Sequence, residues 1–198
     1  MLVLASASPR RQELLRNASI SFTVQPADID ETPLPNEDPI ACVERLAREK
    51  AFVISKLRPR DLILGADTTV VVNGMMLAKP ADAEDAARML RLLSGRTHQV
   101  ITGVCLAGPP TENDQQNLRT ENCELRTASE TTLVTFTKLS DTDIREYIAT
   151  NEPMDKAGAY AIQGIASRWI PRIQGDYSNV VGLPVAMVYR MLRERGFL

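Results

Sequence analysis

Six residues near the start of the chain, Ser6-Ala7-Ser8-Pro9-Arg10-Arg11, concentrate hydroxyls and guanidiniums around one proline. Ser8 suits a helix cap and Pro9 suits the first helical position. Arg10 and Arg11 then fall in the first turn, where the positive end of the helix dipole disfavours cations by roughly 0.3–1 kcal/mol per charge. A bound anion removes that penalty. Free N–H groups, two serines and two guanidiniums make a suitable phosphate cradle. Two solvated arginines on a surface turn are the alternative.

A second candidate is Gly65-Ala66-Asp67-Thr68, which interrupts an apolar strand pair. Asp67 is expected at or near the end of a buried strand, where a carboxylate is costly unless it is used. It either caps a turn or pairs with a lysine, or it serves as metal ligand or general base. Lys50, Lys79 and Glu31 each read, on their own, as solvated charges. Lys50 follows the apolar stripe of a helix, and Lys79 precedes Pro80 in an extended stretch. His98 is the single histidine, so a histidine-rich metal site is excluded. No nucleophile-elbow pattern accompanies it, and it reads as a structural or loop-positioning residue. GxxxxGK[ST] and GxGxxG are both absent, which leaves no P-loop and no dinucleotide fingerprint.

The elements that must position these residues alternate between strand and helix. Leu2 to Ala5 reads as a strand rather than a signal peptide, because no basic run precedes it. A helix follows the first turn, with Leu14 and Leu15 inward, and Ile20 to Val24 alternates as a half-buried strand. Asp28 to Glu31 opens an acidic loop. Asp38 caps a helix opened by Pro39, with Ile40, Val43, Leu46, Ala47, Ala51 and Ile54 on one face. Strands are expected at 62–64 and 69–72, then a hairpin at Asn73-Gly74. Further helices start at Asp82, at Ser140 with Asp143 as a capping box, and at Val185. Strands are expected over Gln99–Leu106 and Thr131–Lys138, with a long exposed polar loop over 108–128. Gly-bearing loops and short strands fill 153–184. This mixture predicts a mixed-sheet α/β fold with flanking helices, in a single domain spanning 1–198.

With 198 residues, 44% hydrophobic and 24% charged, the chain can build a sizeable core. Its net charge of -2 and lack of a long basic run argue against extended nucleic-acid binding, though not against a small anion. No apolar run approaches the roughly 20 residues of a membrane span. Cys42, Cys105 and Cys123 are widely spaced and odd in number, and read as reduced thiols of a cytoplasmic protein.

Taken in order, Ser6 to Arg11, Gly65 to Thr68, Lys79-Pro80, Ser94-Gly95-Arg96-Thr97-His98, Asp155 to Tyr160, Ile162-Gln163-Gly164 and Asn179 to Pro184 resemble the Maf family of nucleoside triphosphate pyrophosphatases over nearly the whole chain. The resemblance implies a fold like that of inosine triphosphate pyrophosphatases, Maf/Ham1-like, with two lobes around a cleft. It implies hydrolysis between the α and β phosphates, giving a nucleoside monophosphate and pyrophosphate, with a divalent cation, magnesium or manganese. Asp67 matches the proton acceptor, and Ser8, Arg10 and Arg11 match phosphate-binding positions. Glu31, Lys50 and Lys79 match the family's acidic-loop glutamate and its two lysines, so Glu31 and Asp67 are the candidate metal ligands. Arg10, Thr68 and Gln163 match the branch acting on dTTP and UTP. Thr68 and Gln163 would then face base or sugar, and modified pyrimidine triphosphates would fit a house-cleaning role. A homodimer is implied by the resemblance alone. The alternatives are a non-catalytic nucleotide-binding regulator, such as one linked to cell division, and a nucleotidyltransferase.

Overall fold

In the computed structural model the described residues are 1–109, the backbone of 119–120, and 123–198. In chain order the elements are β1 (Leu2–Leu4), α1 (Pro9–Asn17), β2 (Thr23–Val24), α2 (Pro39–Leu57), β3 (Leu62–Val72), β4 (Met75–Leu77), α3 (Ala83–Leu93), β5 (Thr97–Gly108), β6 (Arg119–Thr120), β7 (Cys123–Thr135), α4 (Asp141–Ala149), β8 (Arg172–Gln174), α5 (Tyr177–Val181) and α6 (Val185–Glu194). Short 3-10 turns occupy Glu152–Asp155, Ala157–Ala159 and Ile165–Trp169. The strands form a mixed sheet in the order β2-β1-β3-β5-β7-β6, with β4 on β3 and β8 on β7. β1 pairs in parallel with β2 and β3, while β3–β4, β6–β7 and β7–β8 are antiparallel. The expected mixed α/β fold with flanking helices is what forms. The chain divides into two compact units, Met1–Asp67 with Thr102–Glu130 and Gly182–Leu198, and Thr68–Ile101 with Thr131–Val181.

In the first unit β1 and the opening of β3 are buried on both faces, which explains their unbroken apolar runs. Leu2, Leu4, Leu62, Leu64 and Ala66 face one core with Leu15, Leu183 and four residues of α6. The alternate residues Val3, Ala5 and Ile63 face α2 through Ala47, Ala51 and Ile54. Two glycines let α2 lie close to the sheet. A Cβ at Gly65 would sit 2.2 Å from the Ala47 carbonyl oxygen, and one at Gly103 2.4 Å from that of Val43.

Several expectations are corrected here. GADT does not interrupt a strand: β3 runs unbroken through it, and Gly65 is tolerated because α2 leaves no room for a side chain. Ile40 is exposed rather than on the buried face of α2. Only Thr23–Val24 of the expected second strand pairs. Of the expected loop 108–128, residues 123–128 belong to β7, where Glu124 is 1% exposed and pairs with Arg195 of α6. Residues 110–118 and 121–122 lie outside the described residues. Over 153–184 the chain forms mainly 3-10 turns and α5, with one short strand.

The second unit holds its helices by local capping. Asp82 caps α3, and Ser140 with Asp143 forms the capping box of α4. Asn73 and Gly74, both at positive φ, close the β3–β4 hairpin. Its core contains an edge-on aromatic cluster of His98, Phe136 and Tyr160. His98 is a β5 residue, 2% exposed, and shares a 2.8 Å hydrogen bond between Nε2 and the Tyr160 hydroxyl. Its Nδ1 has no hydrogen-bond partner among the described residues. The histidine is therefore structural, as its sequence context suggested.

Gly65→Ala is expected to cost about 2–3 kcal/mol in urea unfolding, because helix backbone must move; unchanged stability would contradict the close approach. Burial holds the His98 pKa down at about 4 instead of 6.5. The unfolded chain therefore takes up a proton first as pH falls, and stability is lost between about pH 6.5 and 4. By pH 5 the loss is about 2 kcal/mol, and His98→Gln should remove most of that slope when unfolding is measured against pH.

Candidate active site

The site of the first unit centres on Lys50. Val43, Leu46, Ala47, Lys50, Ala51 and Ile54 form one buried stripe of α2, so Lys50 stands inside the apolar face rather than after it. Its side chain is 7% exposed, and its Nζ lies 2.7 Å from Asp67 Oδ1 and 2.6 Å from Glu31 Oε1. Asp67 is on the α2 side of β3 because Ile63, Gly65 and Asp67 alternate onto that face. Its side chain is 15% exposed, while that of Glu31 is 51% exposed. Lys50 is thus the buried centre of a charge cluster, Asp67 its partly buried strand partner, and Glu31 its solvent-facing one.

Glu31 comes from a segment without regular structure, so what holds that segment matters. Asp30 Oδ1 accepts the Thr32 N–H at 2.9 Å, and Glu37 Oε2 accepts that of Leu34 at 2.9 Å. Arg45 of α2 donates to both carboxylate oxygens of Glu37 at 2.7 and 2.8 Å, to Glu49 at 3.2 Å and to the Thr32 carbonyl at 3.3 Å. The hydrogen bonds from Arg45 hold the Glu37 carboxyl down at about 2, so this latch keeps its charge across the ordinary pH range. Sequence reading missed Arg45. The available signal was its spacing: Glu37 lies just ahead of the helix, and Glu49 one turn on.

The first turn forms as expected at its cap. Ser8 caps α1, its Oγ accepting the Arg11 N–H at 3.4 Å, and no acidic residue occupies the first turn. Arg10 is half-buried in that turn. Arg11 differs from a solvated arginine: it is 9% exposed. Its Nε donates to the Gly182 carbonyl at 2.8 Å, and its Nη1 to Ser6 Oγ at 3.1 Å and to the Ala66 carbonyl at 2.9 Å. Ser6 Oγ also accepts the Ser8 N–H at 3.2 Å. Burial pulls the Arg11 pKa below its usual value; Asp67 opposes this, Arg10 adds to it and Glu31 opposes it. These three bonds tie the first turn to the strand just before Asp67 and to the loop entering α6.

Thr68, Lys79 and Gln163 belong to the second unit. Thr68 is half-buried on β3, next in sequence to Asp67; Lys79 is exposed after β4; Gln163 is exposed on a turn. The structure therefore brings Ser8, Arg11, Glu31, Lys50 and Asp67 together within one unit. Among the described residues, no group of three or more His, Cys, Asp and Glu side chains is placed to hold a metal. The two carboxylates at Lys50 still fit a hard divalent cation, which binds through one or two carboxylates and draws its other ligands from water and phosphate.

A mixed α/β sheet thus carries a buried lysine between two carboxylates in the same unit as an arginine-bearing helix start. The chain belongs to the Maf-like protein family, which it matches over residues 1–195. It is 54% identical over 197 residues to the dTTP/UTP pyrophosphatase of Koribacter versatilis, covering 100% of this chain and 95% of that protein. It is 48% identical over 196 residues to the dTTP/UTP pyrophosphatase of Anaeromyxobacter dehalogenans strain 2CP-C, covering 99% and 94%. It is 47% identical over 197 residues to that of Geobacter sp. strain M21, covering 100% and 96%. Among solved structures, the Staphylococcus aureus Ham1 protein aligns over 98% of each chain at 14% identity and a TM-score of 0.48, a likeness too slight to bear on activity.

Arg11→Lys keeps the charge but cannot reach three oxygens from one planar fork. It is expected to lower unfolding free energy by about 2–4 kcal/mol, read by urea denaturation. Stability within error of the wild type would mean that the brace is not formed.

Proposed function

We propose that this chain hydrolyses nucleoside triphosphates, dTTP and UTP foremost and modified pyrimidine triphosphates with them, to the nucleoside monophosphate and pyrophosphate. The observation that carries the reading is the Lys50 ammonium held by Glu31 and Asp67 at 2.6 and 2.7 Å, in the same unit as the Ser8–Arg11 turn. The full-length likeness to proteins named dTTP/UTP pyrophosphatase supports the substrate class.

In the proposed reaction Asp67 takes the proton of a water as its oxygen bonds to the α-phosphorus. The bond from that phosphorus to the oxygen bridging toward the β-phosphorus breaks, and pyrophosphate leaves with the electron pair. Negative charge gathers on phosphoryl oxygens, so fixed donors aimed at them lower the barrier. Ser8, Arg10 and Lys50 supply such donors, aided by the α1 N-terminus. Arg11 acts through its brace, keeping the turn in register with Asp67. A magnesium or manganese ion held by Glu31 and Asp67 would supply Lewis-acid polarisation of the phosphoryl oxygens and a more acidic water. Lys79 is assigned a phosphate-binding role, and Thr68 and Gln163 the reading of sugar and base. The Gln163 amide offers one donor group and one acceptor, matching the imide edge of uracil or thymine.

Among the described residues no helix is long and apolar enough to cross a membrane. Cys42 and Cys105 are buried free thiols, in keeping with the cytoplasmic setting proposed here. A homodimer belongs to the proposal and is read out by the mass in solution.

The test is incubation with dTTP, UTP, CTP and GTP in Mg²⁺, following pyrophosphate and monophosphate. Release of both from dTTP and UTP is expected. No release would make the chain a nucleotide-binding regulator, and release only with an added acceptor would make it a transferase. Asp67→Asn should lower kcat by about 10²–10⁴ with nucleotide Kd changed only a few-fold; near-normal turnover would remove Asp67 from its role.

A further inference from the structure

Gln163 sits on a turn whose backbone is pinned on both sides of it. Tyr147 of α4 is fully buried, and its hydroxyl accepts the Ala161 N–H at 3.1 Å while donating to Glu152 Oε1 at 2.8 Å. The Glu152 carboxylate in turn accepts the Ile165 N–H, at 3.0 Å through Oε1 and 3.3 Å through Oε2. The residues two before and two after Gln163 are therefore fixed to one phenol–carboxylate pair. Gly164 completes the seat: a Cβ there would lie 2.3 Å from Glu152 Oε1 and 2.4 Å from its Oε2. Burial raises the Tyr147 pKa and the bond to Glu152 adds to it, so the phenol stays protonated.

Glu152 is anchored as well. Its N–H donates to Thr150 Oγ1 at 3.2 Å, and its carbonyl accepts from Lys156 Nζ at 3.1 Å. Thr150 Oγ1 returns to the Tyr147 carbonyl at 2.6 Å. The Tyr147 ring lies edge-on against Trp169 at 5.4 Å, so the phenol cannot swing away. Of residues 161–165 only Gln163 is exposed, and an amide that must tell one hydrogen-bonding edge from another needs a fixed backbone beneath it, because a misplaced donor is worth little.

We propose that Tyr147 and Glu152 are positioning residues for substrate specificity, clamping the 161–165 turn so that the Gln163 amide presents its donor and acceptor at a fixed angle to a pyrimidine base. This rests on the reading that the chain acts on dTTP and UTP. Uracil and cytosine differ at one edge by an exchange of acceptor for donor, the kind of difference a rigid amide reads and a mobile one forgives.

The experiment compares kcat/KM for UTP, dTTP and CTP in Mg²⁺ across the wild type, Tyr147→Phe, Glu152→Ala, Glu152→Gln and Gly164→Ala, with thermal unfolding of each. The expected result is at least a tenfold fall in the UTP-to-CTP preference for Glu152→Ala and Gly164→Ala. Tyr147→Phe should fall less. Glu152→Gln retains an acceptor oxygen and should stay within about threefold of the wild type. A merely structural role would lower all three nucleotides alike, and an unchanged preference in Glu152→Ala and Gly164→Ala overturns the clamp. A wild type that releases no pyrophosphate overturns the substrate reading and this inference together. A wild type that prefers UTP with variants that prefer it equally overturns the clamp alone.

Discussion

An ammonium removed from water costs several kcal/mol unless opposite charges and hydrogen bonds match it. Lys50 is such a group, and two carboxylates answer it, one from a strand and one from a loop. Everything about the first unit that bears on chemistry follows from keeping those three groups together. Gly65 and Gly103 bring α2 down onto the sheet, so a lysine in the middle of the helix reaches a strand aspartate. The bidentate grip of Arg45 on Glu37, with its bond to the Thr32 carbonyl, keeps the Glu31 segment against the same helix. The charges are mutually dependent: without Lys50, Asp67 is a half-buried carboxylate on an apolar strand.

A second buried cation plays a different part. Arg11 spends three hydrogen bonds on protein oxygens from three separate segments. It therefore fixes the relation between the helix start that suits phosphate and the strand that carries Asp67. Of the two adjacent arginines, Arg11 is a tie within the fold, while Arg10 stays half-buried in the first helical turn. Positioning and electrostatic stabilisation carry most of phosphoryl transfer, so in the proposed reaction a brace of this kind is expected to bear on rate.

Much of this was legible in the sequence because it is local. Caps at Ser8, Asp38, Asp82 and Ser140, and the turn at Asn73-Gly74, depend on neighbours a few residues away, and each formed as read. What was not legible depends on distant partners. Lys50 falls at helical spacing within a buried stripe, yet the groups that justify its burial lie 19 residues before it and 17 after. The bond of Arg11 to the Gly182 carbonyl spans 171 residues and leaves no local trace. Glu124 reads as loop although Arg126 lies two residues on and pairs with it, because its second partner, Arg195, is 71 residues away. Gly65 to Thr68 reads as an interruption of the strand because a sequence does not show the helix lying against Gly65. The candidate residues themselves were found by type and order; which of them hold one another came from the geometry.

In the proposed reaction water attacks the α-phosphorus and pyrophosphate departs. Hydrolysis of UTP in ¹⁸O-enriched water, with the products resolved by mass spectrometry, distinguishes the phosphorus attacked. One heavy oxygen in the monophosphate and none in the pyrophosphate is the expected result. Heavy oxygen in the pyrophosphate would mean attack at the β-phosphorus and would contradict the role given to Asp67 and its neighbours.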